Sequence, residues 1–487
     1  MNHRQSQGGF SIGLQPTRAW IVILALVMFS ALCLLAGAGR ILRLVFPVGS
    51  FAVGMFLYQR YPILYIGFTW WIWFLTPWLR RLIDYRSGWD EQPIVLLSPF
   101  LVTFVTFTTL LQHLLRAYRQ GSFPFVLAFI GVFYGLLVGL INNPPLAVAR
   151  AFLDWLTPIL FGFHLFIHWR QYPSYRQNIQ RIFLWGVLVM GVYGVLQYLV
   201  APEWDRFWLI NVKAFGSAEP LAIRVFSTVN SAGPFAIVMM AGLLLLFNSQ
   251  EALRIPAAVA GYLAFMLTLV RSTWGGWFVG LVSLITSLKA HLQMRLIITI
   301  LVMAVCVFPL VTIPPFSKII TSRLESISNI KDDQSLTDRS ASYDESLSLA
   351  LSQGLGKGIG STFVIKDGKL QTVKLDSAIL NTFFTLGWFG AIPYLGGILL
   401  LLFDMFQSSA GSLDPFASAS RSITLGIFVQ LVFGDIFLGL NGMVFWSFLA
   451  MSLAANKYYR HQISITHANV LPDLKSITRF EKDGTPR

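Results

Sequence analysis

Charge is what this sequence has least of. Only 12% of its 487 residues are Asp, Glu, Lys or Arg, whereas an ordinary soluble domain carries about 25%. Water is therefore not the solvent for most of the chain, and a bilayer is the natural replacement. Cysteine is almost as scarce. Cys33 and Cys306 are the two present, both inside apolar runs. That excludes a disulfide framework or a thiolate metal site and leaves two small buried hydrophobes. No small-residue cleavage site follows the first apolar run, which begins at Trp20 and is followed by others, so a removable signal peptide is not expected. No internal repeat is evident, nor the inverted-repeat pattern of many transporters.

What the chain does have is apolar length. Hydrophobic residues make up 55% of it, and the mean hydropathy is +0.65. A membrane-crossing helix needs about 20 apolar residues. Runs of that kind lie near 20–38, 43–58, 62–79, 94–115, 123–141, 152–169, 182–200, 232–248, 256–270, 274–289, 296–313, 378–403, 422–439 and 441–457. They predict an all-α, polytopic transmembrane bundle of about 12–14 spans, because lipid-facing backbone must satisfy its own hydrogen bonds. The second and third runs are short and read as a hairpin or as tilted pieces. The expected organisation is a transmembrane bundle over 1–313, an external loop domain over 314–377, C-terminal spans over 378–458 and a polar, mobile tail over 459–487.

The formal net charge is +14. In a soluble protein that excess would point to nucleic acid. Here the charges lie between apolar runs, so they report topology and anionic headgroups, and no nucleic-acid partner is expected. The segments "RAYRQ" (116–120), "RQYPSYRQNIQR" (170–181), "KAHLQMR" (289–295) and the tail after Lys457 fall on one side if the spans alternate. That side is expected to be cytoplasmic, in the cytoplasmic membrane. Residues 201–231 and 314–377 then fall outside. Arg40, Arg43, Arg80 and Arg81 break the rule.

The long polar segment has some order of its own. "DRSASYDESLSLALSQGLG" reads as a capped amphipathic helix from about Ser340, stopped by Gly354. "IKDGKLQTV" reads as a short hairpin with an Asp-Gly turn. "GLGKGIG" (354–360) lacks the spacing of a phosphate-binding P-loop and reads as a flexible turn. His164 and His168 have i, i+4 spacing but no third ligand in view, and read as interfacial.

Four arginines belong to the external side: Arg224, Arg271, Arg323 and Arg339. Guanidinium forks make paired bonds to phosphate oxygens, and a diphosphate offers several. Alone, each could be an ordinary arginine reaching for headgroups. Arg224 and Arg271 stand out because each precedes a Gly-, Ser- or Asn-marked helix start, where free amides attract anions. Asp376 sits where the long loop enters the span beginning near 378. It is placed either to accept a proton from a hydroxyl or merely to cap that helix. Asn381, five residues on, could orient a substrate. Asp154 and Asp435 lie in or at the outer ends of spans, and pairing with an external arginine is the plainest expectation for each.

The segments "RVFSTVNSAGPFA", "RSTWGGWFVGL", "DRSASYDESLSLALSQGLGKGIGSTF" and "DSAILNTFFTLGWFGAIPYL", in that order over roughly residues 220–395, resemble the O-antigen ligase and polymerase superfamily of bacterial polysaccharide assembly. The resemblance implies a metal-independent glycosyltransferase without a cofactor. Its substrate would be a polyprenyl-diphosphate-linked oligosaccharide, and its companions membrane lipids and assembly proteins such as a flippase or a chain-length regulator. It implies that Arg224, Arg271 and Arg339 engage the diphosphate and that Asp376 handles the acceptor hydroxyl. Arg323, Asn230, Tyr343 and Asn381 would line the substrate. Ligases of this family usually carry His-Asn where this chain has Asp376 and Ser377. That departure favours a polymerase, with a ligase and a small-anion transporter as the other readings.

Overall fold

The computed structural model describes residues 16–114, 121–212, 217–287, 354–366, 369–372, 377–407 and 414–482, with isolated positions between 293 and 301. Side chains are described as far as Phe363 in the hairpin and Thr466 in the last helix. The expected helix after Ser340, most of the expected loop domain, and Arg323, Arg339, Tyr343 and Asp376 lie outside the described residues.

The helices are α1 (Thr17–Leu35), α2 (Gly39–Arg60), α3 (Pro62–Ser87), α4 (Ser98–Phe104), α5 (Phe107–His113), α6 (Phe123–Asn142), α7 (Pro145–Ile167), α8 (Tyr172–Val200), α9 (Glu203–Val212), α10 (Ala232–Leu246), α11 (Arg254–Leu267), α12 (Arg271–Ser287), α13 (Ala378–Gln407), α14 (Pro415–Phe428) and α15 (Gly439–Lys482). One antiparallel hairpin, β1 (Phe363–Lys366) with β2 (Lys369–Thr372), interrupts them, and Lys366 pairs with Lys369 across Asp367-Gly368 as the Asp-Gly signal predicts. Among the described residues, seven helical stretches are long and apolar enough to cross a membrane. The protein is a polytopic helical membrane bundle. The aromatic residues Trp70, Trp446, Phe161 and Phe163 are fully buried in its interior. Leu35, Ile141 and Phe389 lie on its exposed surface, the position of a lipid-facing side chain.

The helices run back and forth between two ends. One end, here the loop end, gathers 80–90, 143, 201–212, 217–231, 268–271, 354–360, 377–381 and 429–441. The opposite end gathers 61–63, 168–176, 248–254, 414–416 and 457–461. Bonds across each set fix this assignment. Arg81 pairs with Asp205, and Asn143 donates to the carbonyl of Lys357, at the first. Asn178 donates to Ile63, and Asn248 to Pro415, at the second.

Several expectations need correction. The second and third runs are not short, because α2 and α3 have 22 and 26 residues. The run 94–115 is broken at Val105–Thr106 into α4 and α5, where Thr103 and Thr106 hydroxyls turn back onto backbone carbonyls. The run 422–439 was placed too late. Its helix starts at Pro415, capped by Asp414, which accepts from the Phe416 amide at 3.0 Å. The polar stretch "SASRSIT" hid the real start, since Ser418, Ser420 and Ser422 are all buried. The tail after residue 458 continues α15 as helix to Lys482 rather than leaving it. His164 is not interfacial but fully enclosed beside Tyr58 and Tyr65. A third histidine, His113, lies 6.0 Å from the His168 ring.

"GLGKGIG" is not a flexible turn. It is a strap wedged between α6 and α13. The amides of Lys357 and Gly358 donate to Phe384 and Thr385 at 2.9 Å each, and that of Ile359 to Gly135 at 2.8 Å. Gly356 and Gly358 take φ of +73° and +82°, the left-handed region where a side chain is strained. A Cβ on Gly358 would sit 2.3 Å from the Gly139 amide nitrogen. Gly131, Gly135 and Gly139 form a small-residue stripe on α6 that admits both the strap and α13.

Candidate functional site

Arg224 and Arg271 are brought to one turn. The Val225 amide donates to Leu267 at 3.1 Å, laying "RVF" along the end of α11. Arg224 Nε then donates to the Thr268 carbonyl at 2.7 Å, and Nη2 to Leu269 at 3.4 Å. Leu269 takes φ +57°, which reverses the chain within three residues. Arg271 is the first residue of α12, so it belongs to the helix start rather than preceding it as expected. Asn230 lies just before α10, whose N-cap position is Ser231. Its Oδ1 is buried and has no hydrogen-bond partner among the described residues.

The segment carrying these groups is held from beneath by residues that the sequence reading passed over. Gln197 Oε1 accepts the amides of Phe226 and Ser227 at 3.0 and 2.8 Å, and its Nε2 donates to Asp205 at 2.7 Å. Asp205 pairs with Arg81 at 3.2 Å, and both side chains are 0% exposed. Arg81 also donates to the Ser227 carbonyl and lies over the Phe226 ring. Ser227 has φ +50°, a costly conformation for a residue with a Cβ. Two buried side chains on its own carbonyl and amide hold it there. The only signal in the sequence was negative, since Arg81 was an arginine on the wrong side.

Two more of the arginines on the wrong side, Arg43 and Arg80, are also paired with carboxylates, while Arg40 is exposed. Arg43 meets Asp84 at 3.0 Å and Asp90 at 3.7 Å, and Arg80 meets Asp84 at 3.1 Å.

A second cluster forms where α13 begins. Ser377, not Asp376, fills the capping position, its Oγ 3.5 Å from the Leu380 amide. Asn381 donates to Asp435 Oδ2 at 2.6 Å and accepts from Thr385 at 3.0 Å. Asp435 sits in the connector between α14 and α15, outside the spanning helices. Burial raises its carboxyl to about 7, against the lowering effect of the Asn381 and Phe437 hydrogen bonds, and Asp154 adds to the rise. Neither acid takes the expected external arginine. Asp154 pairs with Arg150 one turn before it, at 3.8 Å. Thr273 donates to Gln430 at 2.9 Å, so the connector carrying Asp435 is tied to the first turn of α12, two residues beyond Arg271. Among the described residues, no group of three or more His, Cys, Asp or Glu side chains is arranged to hold a metal ion.

No curated protein and no solved structure matches the chain. A family model does. It covers residues 256–395, from α11 through the long loop into α13, and its description is O-antigen ligase. Arg271, Arg323, Arg339, Tyr343, Asp376 and Asn381 fall inside that range, while Arg224, Asn230 and Asp435 fall outside it. The match spans less than a third of the 487 residues, so it is that segment that is similar to the O-antigen ligase family.

Proposed function

We propose that this protein is a glycosyltransferase of the cytoplasmic membrane. It joins polyprenyl-diphosphate-linked oligosaccharide units on the extracytoplasmic side, where the loop end faces. The observation that carries the reading is the shared turn of Arg224 and Arg271 inside or beside the matched segment. Arginines gathered at the turn between the end of α11 and the start of α12 would form a cradle for a diphosphate.

In this reaction the acceptor hydroxyl oxygen attacks the anomeric carbon of the donor glycan. The new glycosidic C–O bond forms as the bond to the diphosphate oxygen breaks. The bond's electron pair leaves with the polyprenyl diphosphate. Arg224, Arg271 and Arg339 stabilise that charge, with Arg323, Asn230 and Tyr343 along the substrate. The hydroxyl proton passes to a carboxylate at the head of α13, either Asp376 or Asp435, with Asn381 orienting the acceptor.

Replacing Arg271 by Ala, or by Lys with its single point charge, should lower polymer formation on the order of 10²–10³-fold. Normal polymer length and yield at normal protein level would end the cradle reading. The matched description, ligase, favours a second outcome for the acceptor. Lipid-linked intermediates in a deletion strain decide it. Single repeat units on the carrier mean a polymerase, and finished polymer on the carrier means a ligase.

A further inference from the structure

α14 carries polar side chains into the bundle. Ser418, Ser420, Arg421, Ser422 and Thr424 are each at most 9% exposed. Arg421 is the only ion among them. It lies six residues past Pro415, which at about 1.5 Å per residue puts it about 9 Å in from the opposite end.

The facing side chain follows from the register of α14 against α15. Tyr459 donates to Asp414 at 3.2 Å, and Phe428 stacks on Phe445 with centroids 6.4 Å apart. These contacts fix an antiparallel pairing. Positions 414, 421 and 428 are one heptad apart on one face of α14, and 445, 452 and 459 are likewise on α15. Arg421 is therefore opposite Ser452. Arg421 Nε and Ser452 Oγ are both buried, and neither has a hydrogen-bond partner among the described residues. Arg421 Nη2 reaches Ser418 Oγ only at 3.4 Å.

A buried guanidinium is stable only with a counter-charge. The carboxylate one heptad away is otherwise engaged. Asp414 takes Tyr172 at 2.6 Å, Arg176 at 3.0 Å and Tyr459 at 3.2 Å, besides its capping bond. No ion pair is formed by Arg421 among the described residues. The sequence stretches 115–120, 288–301 and 408–413 contain no Asp or Glu.

We infer that Arg421 and Ser452 bind a small monovalent inorganic anion inside the bundle, between α14 and α15. Guanidinium N–H groups and a hydroxyl donate to it, and it neutralises the arginine. The site lies at the far end from the proposed diphosphate cradle and does not depend on that reading.

The test uses the full-length chain in nanodiscs. Its thermal unfolding midpoint is followed as sodium gluconate, too large for the site, is replaced by sodium chloride or sodium nitrate at constant ionic strength. The midpoint should rise and saturate with chloride or nitrate. Ser452→Asp places a tethered carboxylate opposite Arg421, so this variant should fold and lose the anion dependence. Arg421→Met should lose it as well. Equal midpoints in gluconate, chloride and nitrate for the wild-type chain would overturn the inference. So would an anion response that persists unchanged in both variants. The wild-type titration stands even if a variant fails to fold.

Discussion

A single carboxyl shows how much chemistry one position can concentrate. Burial holds Asp435 at about 7 in the folded protein, against an ordinary aspartate value of about 3.9. The folded state thus favours the protonated form. Its contribution to stability is fully present below about pH 4 and is lost as pH rises through about 7. If it is the proton acceptor, its working form grows over that same upper range. Polymer formation should therefore rise between about pH 6 and 8 while the unfolding midpoint falls. Asp435→Asn should flatten both curves and lower activity on the order of 10²–10⁴-fold. A pH–rate profile left unchanged by this variant would assign the role to Asp376 alone. Arg81 is the counterpart beneath the arginine turn. Arg81→Met leaves Asp205 charged and enclosed, and should destabilise by about 3–5 kcal/mol. Thermal unfolding of the purified variant checks it.

At the scale of elements, the strap 354–360 is packed tightly against two helices. Gly139 could not accept a Cβ without meeting the Ile359 carbonyl oxygen at 2.2 Å, and a backbone atom cannot step aside as a flexible side chain can. Gly139→Ala and Gly358→Ala should each cost several kcal/mol and deplete folded protein from the membrane. Gly396 has nothing within 4 Å of its would-be Cβ. Gly396→Ala should be neutral or stabilising by up to about 1 kcal/mol. Comparing extraction yields of the three variants tests the difference.

The same element shows why sequence reading stopped where it did. Glycines read as freedom when the partner is unknown, and here their absent side chains make room for two other backbones. α14 shows the reverse error, since interior serines read as a loop. The helix start at Pro62 and the Asp-Gly hairpin were legible because their causes are local, whereas α7 and α8 begin at Pro145 and Tyr172, well before the apolar runs 152–169 and 182–200. The turn shared by Arg224 and Arg271 was foreseen only as a common side of the membrane. Gln197 and Asp205, which support it, act across the fold and left no local mark.

For the whole molecule, alternation of basic loops predicted which segments share an end, and the contacts described above agree for 170–181 and the segment after Lys457, while 116–120 and most of 289–295 lie outside the described residues. Which end faces out is testable directly. With Cys33 and Cys306 replaced by Ser, Glu219→Cys and Glu251→Cys place thiols on exposed positions at the loop end and the opposite end. A membrane-impermeant maleimide applied to intact cells should label the first and not the second. The reverse pattern would place the cradle in the cytoplasm, where the proposed reaction has no reason to occur.

The last helix has a mechanical consequence. At about 1.5 Å per residue its 44 residues make a rod about 66 Å long, roughly twice the ~30 Å hydrocarbon thickness of a bilayer, and it extends away from the end that carries the arginine turn. Its other terminus abuts the connector that bears Asp435. A tilt of about 10° at that connector would swing the far tip by about 11 Å, so a fluorophore there would register rearrangement of the loop end as motion at the opposite end.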